Sequence, residues 1–466
     1  MLQEPIHFVG IGGTGMSAIA DILLCQGRQV SGSDLVENTA TKRLQAKGAQ
    51  IFRGHRAENV AQAALLVVSA AVPRDNPELL AARQRGIPVI QRGEMLGRLM
   101  AQYQGVAVAG THGKTTTTSM VALILERAGL DPTVLVGGEL NDIGGNAKLG
   151  YGPYLVTEAD ESDGSFLLLT PQYAVVTNVE ADHLDNYRDL GEIQAAFAAF
   201  LQGQPANGAA VLCADDKTLR GLADQLPNAI TYAVHHENAH YRALAPELEP
   251  FSARFGVSFQ GQYLGTIRLG IPGLHNVANA LGALAVTRAI GVDFDTAAAA
   301  LAGFRGVKRR FQTLAIVNGV RVMDDYGHHP TEVAATLAAA RNAATGRVIC
   351  LFQPHRYSRT KHLAEQFAAT LREADCLLVT DIYAAGEEVI PGVSARQIVD
   401  AIVPAKGQVV EYVPQKEALV SRTLQLAQPG DLVLTLGAGD IWRTGVQLVE
   451  RLAGNPNWSE VGLVNL

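Results

Sequence analysis

Nine consecutive residues, Gly110-Thr111-His112-Gly113-Lys114-Thr115-Thr116-Thr117-Thr118, carry the chemistry of a triphosphate cradle. Glycines let backbone N–H groups converge on phosphate oxygens, a lysine lies along the β/γ-phosphates, and the Thr115 hydroxyl suits Mg²⁺. The common Gly-x-x-x-x-Gly-Lys-Thr spacing wants glycine where this chain has Val108, so Gly110 is expected to supply the turn. Downstream acids would complete the site. Glu158, at the end of the apolar run Tyr154 to Thr157, is a candidate Mg²⁺ ligand, whereas Glu161 and Asp163 read as solvated surface acids. His183 follows another apolar run. A hard cation prefers oxygen, so chemistry alone favours a structural role for this histidine. Asn276 and Asn279 share a helix face and suit an adenine edge, although plain helix capping by Asn276 accounts for the pattern equally well. Arg310 offers a guanidinium to a γ-phosphate.

A second glycine loop, Gly10-Ile11-Gly12-Gly13-Thr14-Gly15, lies between a strand and a helix, with Asp34 at the end of the next strand. This is a pyrophosphate-binding pattern. It fits NAD, with Asp34 on a ribose hydroxyl, and equally another nucleoside diphosphate.

The elements that must hold these residues alternate strand and helix, which predicts α/β architecture in three domains. An N-terminal Rossmann-like parallel sheet spans 1–103, with strands at Ile6 to Gly10, Gln29 to Ser33, Leu65 to Ser69 and Pro88 to Ile90. A central P-loop ATPase-type α/β domain spans 104–311. It begins with the strand Val106 to Ala109 and a helix from Ser119 to Ala128, and it includes a β-rich excursion from Ala229 to Leu269 and a helix from Asn276 to Ile290. A C-terminal Rossmann-like α/β domain spans 312–466, with strands near Arg321 to Met323, Val348 to Phe352, Cys376 to Val379 and Leu432 to Leu436. The tail from Gly454 has no assignable pattern.

At 466 residues the chain exceeds one compact core, and 48% hydrophobic with 18% charged residues is a globular composition. A net charge of −7 argues against a nucleic-acid partner. Four scattered cysteines without a Cys-x-x-Cys pair argue for a reducing compartment and against a zinc site. No leader pattern and no bilayer-length apolar run is seen, so the expectation is a cytoplasmic protein with no membrane partner.

Together these segments resemble the Mur ligases, ATP-dependent amide-forming enzymes of peptidoglycan synthesis. The Gly110 to Thr117 loop, Glu158, the Asn178 to Asp185 segment and His275-Asn276 to Asn279 are spaced as in that family. The first glycine loop with Met16-Ser17, the Asp324 to Glu332 segment, the Phe352 to Thr360 stretch and Gly437 to Ile441 narrow the match to the branch that adds L-alanine. The resemblance implies that the first loop holds UDP-N-acetylmuramate, which removes the NAD ambiguity. Gly10, Gly12, Gly13, Thr14, Gly15, Met16, Ser17, Asp34, His55, Ser69 and Ala70 would line that site, with Ala71, Val72 and Glu94 nearby. ATP would bind Gly110, Thr111, His112, Gly113, Lys114, Thr115, Thr116, Asn276, Asn279, Arg310 and Asp325, the last on its ribose. Thr115, Glu158 and His183 would hold Mg²⁺; the resemblance thereby favours a ligand role for His183. Tyr326, His328, His355, Arg356 and Arg359 would receive L-alanine. No carbamylated lysine is expected. The implied reaction activates the lactyl carboxylate as an acyl phosphate, which the amine of L-alanine attacks, with Lys114, Arg310, His328 and His355 at the reacting centre. Three alternatives remain at this stage: a ligase adding a preformed tripeptide to the same sugar nucleotide, an NAD-dependent oxidoreductase, and a non-catalytic nucleotide sensor.

Overall fold

The computed structural model describes residues 3–140, 145–183 and 186–454. Among them, three sheets carry the helices. In the first, all five strands run parallel in the order Gln50–Arg53, Val30–Asp34, Ile6–Val9, Leu65–Val68, Val89–Gln91. The order reverses direction between Ile6–Val9 and Leu65–Val68, where open α/β sheets receive ligands, and the first glycine loop leaves from that point.

The second sheet is mixed and has ten strands, with Gln104–Ala109 between Tyr173–Val176 and Tyr154–Glu158, parallel to both. Val106, Ala107, Val108 and Ala109 are fully buried, as the uninterrupted apolar run requires of a strand covered on both faces. Val108 therefore lies inside a strand rather than in the phosphate turn. The expected β-rich excursion is present as Ala229–Ala233, Tyr241–Leu248, Ala253–Phe259 and Gln262–Leu269. The Thr133–Leu140 and Gly145–Lys148 pair, missed from the sequence, adds an antiparallel edge.

These two sheets, except residues 246–248 and 253–254 of the second, belong to one compact unit, residues 1–245, 255–269 and 276–304. Helix Arg92–Met100, beyond the first sheet, lies directly on the short 3₁₀ helix Ser165–Leu168 of the second. Two glycines allow this approach. A Cβ at Gly93 would fall 2.6 Å from Ser165 Cβ, and one at Gly97 would fall 2.5 Å from the Leu168 carbonyl oxygen. Phe166 anchors the 3₁₀ helix by packing between Phe197 and Phe200. Asn146 adds a polar tie, donating to Thr14 O (2.8 Å) and accepting from Arg43 (2.6 Å).

The other unit comprises residues 246–254, 270–275 and 305–466. Its six-stranded sheet runs Gln312–Val317, Val320–Asp325, Leu432–Leu436, Val348–Phe352, Cys376–Val379, Val409–Tyr412, and only the first pairing is antiparallel. Alternation along the strands builds two cores. Met323, Cys350, Phe352 and Leu434 face one side, while Val322, Ile349, Leu351 and Val433 face the other. Burying each such Val, Leu or Ile side chain stabilises by about 1.5–3 kcal/mol. Among the described residues no helix is long and apolar enough to cross a membrane, and the four cysteines are free thiols.

Candidate functional site

The phosphate loop follows its strand as expected, and the helix begins at Lys114, five residues before the periodic apolar pattern. Gly110 has φ +128°, and a Cβ there would meet Thr177 Oγ1 at 2.1 Å; Gly113 has φ +83°, and a Cβ there would meet Asn279 Oδ1 at 2.5 Å. Neither position accepts a side chain. The segment after Tyr173–Val176 clamps the loop: Asn178 O accepts from Thr111 N (3.1 Å) and Asn178 Oδ1 from His112 N (2.8 Å). Glu180 N donates to Thr111 Oγ1 at 2.9 Å. The first-turn N–H groups that follow have no intrahelical acceptor, so the helix presents its positive pole at the loop.

Lys114 Nζ donates to Gly110 O (2.7 Å) and to both oxygens of Glu161 (3.0 and 2.8 Å). Here the sequence reading needs correction. Glu161 is 2% exposed, not a solvated surface acid. Its partner is 47 residues away in the chain, and no local pattern announces such a pairing. Asp163 is exposed as expected and stands 3.6 Å from Arg92. Burial disfavours the Lys114 charge, but Glu161 and Asp160 outweigh it and raise the ammonium above its ordinary range.

Thr115 Oγ1 donates to Glu158 Oε2 at 3.0 Å, and Gly137 N donates to Glu158 Oε1 at 2.6 Å. Burial nonetheless pushes the Glu158 carboxyl up. A hydroxyl beside a carboxylate that is short of compensating charge is a fitting donor set for Mg²⁺. His183, in a left-handed backbone conformation (φ +56°), places Nε2 3.8 Å from Glu161 Oε1. The following Leu184 and Asp185 lie outside the described residues. Asn276 and Asn279 share a face, joined by a 3.3 Å hydrogen bond, on the helix Leu274–Ile290.

At the first loop, Gly10 N and Ile11 N donate to Ser33 O (2.9 and 3.1 Å). Asp34 Oδ2 accepts from Gly12 N at 2.8 Å, so this carboxylate secures the loop itself. Ser69 closes the loop's other side, 3.4 Å from where a Gly10 Cβ would be, and Ala71 N donates to its hydroxyl at 3.4 Å. Met16 and Ser17 are buried, so they face the core. His55 reaches Ser33 Oγ at 2.9 Å. Glu94 instead forms an exposed pair with Arg98 one helical turn on. Arg92 went unnoticed in the sequence. Its Nη1 lies 3.2 Å from where a Gly15 Cβ would be, and its Nη2 donates to Ser165 Oγ at 3.2 Å.

The second unit gathers Arg310, Asp325, Tyr326, His328, His355 and Arg359 at the carboxyl ends of its strands. Rings meet in series: Tyr326 to His328 (5.4 Å between centroids) and His328 to His355 (5.6 Å) edge to face, and His355 stacked on Tyr383 (5.7 Å). Arg359 is 9% exposed and sets Nη1 3.3 Å from His355 Nδ1, which removes the solvated-surface alternative. Arg356 has φ +70° and lies 3.9 Å from Glu387. Asp325 accepts from Phe311 N and Gly327 N, each at 2.7 Å, and from Thr336 Oγ1 at 3.2 Å. Burial pushes its carboxyl up to about 6 against the pull of Arg310 and these donors. Sequence reasoning missed Glu332 and Tyr383. Glu332 accepts from His328 N (2.9 Å) and His329 N (3.3 Å) and stands 3.6 Å from Arg310. The capping-box spacing from His329 to Glu332 was the available signal for it.

The chain matches the Mur ligase family, catalytic domain, over residues 5–104, the Mur ligase middle domain over 108–287, and the Mur ligase, glutamate ligase domain over 309–439. It is 51% identical to the UDP-N-acetylmuramate–L-alanine ligase of Pelotomaculum thermopropionicum, covering 97% of this chain and 98% of that protein. The protein of the same description from Geotalea uraniireducens is 49% identical, covering 97% and 99%. Among solved structures, the UDP-N-acetylmuramate-alanine ligase MurC of Thermotoga maritima aligns with TM-score 0.82 and 32% identity over 97% of this chain and all of that one. A murein peptide ligase from Psychrobacter arcticus aligns with TM-score 0.70 and 26% identity, covering 97% and 99%.

Proposed function

The chain belongs to the Mur ligase family, and we propose that it joins L-alanine to the lactyl carboxylate of UDP-N-acetylmuramate at the expense of ATP, in peptidoglycan precursor synthesis. The observation that carries the phosphoryl-transfer half is the loop of Gly110 to Thr115, with Lys114 held at its mouth by Glu161 and Thr115 set against Glu158. Identity of about half over nearly the whole chain to ligases described as alanine-adding supports the acceptor.

The lactyl carboxylate attacks the γ-phosphate and gives an acyl phosphate and ADP. The L-alanine amine then attacks the acyl carbon, and phosphate leaves from the tetrahedral intermediate. Lys114 exchanges Glu161 for phosphate oxygens, and Arg310 carries a second positive charge toward the γ-phosphate. Thr115, Glu158 and His183 are the proposed Mg²⁺ ligands, and bound Mg²⁺ supplies charge neutralisation between the two anions. Arg359, with its planar fork, binds the amino-acid carboxylate, with Arg356 three residues earlier assisting; His328 or His355 takes the ammonium proton. Asp325 fixes the backbone at Phe311 and Gly327, and with it the neighbouring Arg310 and Tyr326. The first glycine loop, with Asp34, His55, Ser69 and Ala70, holds the sugar nucleotide. ATP and a UDP-sugar as the proposed substrates support a cytoplasmic reaction.

ADP release with UDP-N-acetylmuramate, tested with L-alanine against a preformed tripeptide with a free amino terminus, decides between this reading and the peptide-adding one. Turnover with L-alanine alone supports the proposal; turnover only with the peptide overturns it.

A further inference from the structure

Beneath the first glycine loop lies a carboxylate that the reaction above does not use. Glu78, in the first turn of helix Pro77–Gln84, has no exposed surface. Its Oε1 accepts from Asn59 Nδ2 (2.5 Å) and Arg56 N (3.3 Å); its Oε2 accepts from Ser33 Oγ (2.5 Å) and faces His55 Nδ1 (3.3 Å). Buried His7 stands 3.7 Å from the same oxygen. Burial works against the charge, but nearby His7 and hydrogen bonds from Ser33 and Asn59 hold the carboxyl below its usual range, so it is an ionised acceptor at neutral pH.

The protons can be placed by counting. Ser33 has one hydroxyl proton and gives it to Glu78. Toward His55, Ser33 Oγ (2.9 Å) and Glu78 Oε2 are then both acceptors. His55 Nδ1 must therefore carry hydrogen, and Nε2 is the nitrogen left for a ligand. Asn59 Nδ2 also donates to Gly54 O (3.1 Å), so Glu78 fixes the backbone on both sides of His55 as well as its ring. Ser33, whose carbonyl holds Gly10 N and Ile11 N, ties the arrangement to the loop.

The geometry points to Glu78 as a positioning residue for the sugar nucleotide: through Ser33 and the 54–59 loop it locks His55 in the Nδ1–H form, with Nε2 presented to a hydroxyl or N–H donor of that ligand. Wrong-tautomer histidine loses such a bond outright, as the role of second partners on functional imidazoles requires. The inference rests on reading the first glycine loop as the UDP-N-acetylmuramate site.

Two measurements test it. In the unliganded protein, long-range ¹H–¹⁵N spectra of ¹⁵N-histidine-labelled enzyme, with the His55 signals assigned by loss in His55→Ala, should show the Nδ1–H form. An Nε2–H form overturns the proposal, and no substrate is involved. In steady-state ADP release, Glu78→Gln should raise KM for UDP-N-acetylmuramate about five- to tenfold with kcat within twofold, the worth of one oriented hydrogen bond. The same change in a His55→Ala background should add nothing further. An equal added loss in that background, or an unchanged KM, overturns it, because a role through His7 or the fold alone does not depend on His55. Wild-type enzyme without sugar-nucleotide-dependent ADP release would refute the functional reading instead, leaving the tautomer to stand on the spectra.

Discussion

Replacing Lys114 by alanine removes two things at once, and the structure allows them to be separated. One is the cation proposed for the phosphates. The other is the partner of Glu161, which is 2.8 Å away and 2% exposed. Deleting one member of a buried pair costs about 3–5 kcal/mol, because a charge is left desolvated. Lys114's side chain keeps 14% exposure and His183 stands 3.8 Å from Glu161, so about 3 kcal/mol is expected. For a domain of this size that corresponds to a fall of about 6–12 °C in melting temperature. Lys114→Ala/Glu161→Ala removes the orphaned carboxylate and should regain most of that loss. Catalysis should not return: a missing phosphate-clamping charge costs about two decades or more in rate in both variants. Thermal melts and ADP-release kinetics on wild type, both single variants and the double variant complete the cycle. Near-wild-type turnover by Lys114→Ala would refute the assignment of the lysine, and equal melting of the single and double variants would refute the buried-pair argument.

Asp325 gives a pH test. Its folded carboxyl is raised to about 6 by burial, so its stability contribution is complete below the unfolded value near 4 and is lost as pH rises through about 6. Asp325→Asn cannot titrate; its melting temperature relative to wild type should improve between pH 5 and pH 7.5, and a pH-independent difference would contradict the burial argument. Arg359→Ala should raise KM for L-alanine at least tenfold, with little change for ATP, since a methyl side chain leaves the carboxylate to supply most of the binding. Arg359→Lys should rescue poorly, as steady-state kinetics with each substrate varied in turn will show. Gly97→Ala, forced 2.5 Å from the Leu168 carbonyl oxygen, should destabilise by about 1–3 kcal/mol in denaturant melts.

What could be read from the chain follows its apolar runs. Val348–Phe352, Cys376–Val379 and Leu432–Leu436 match their predicted bounds because each is a short apolar run buried along its whole length. Gln50–Arg53 and Val409–Tyr412 were invisible: they are half-exposed edge strands with a charged or polar residue in so short a run. Glycines within Thr133–Leu140 hid that strand. The helix at Lys114 begins under four threonines, residues of poor helix propensity, because its N-terminus is needed at the loop. Motif residues were found because their spacing within a segment is local. Glu161, Glu78 and Arg92 were not, since their meaning lies in partners brought together only by folding.

The glycine contacts at Gly93 and Gly97 bear on how such a chain can change over generations. They leave no room for a methyl group between Arg92–Met100 and Ser165–Leu168, and the second of these segments continues directly from the acids around the phosphate loop. A lineage that reshaped its first sheet for a bulkier nucleotide would shift that helix, and with it the stretch leading back to Glu161 and Lys114. The two glycine loops are thus free to vary in the side chains around them but not in their spacing, which makes the loops, rather than the sheets, the place where new specificities can be tried.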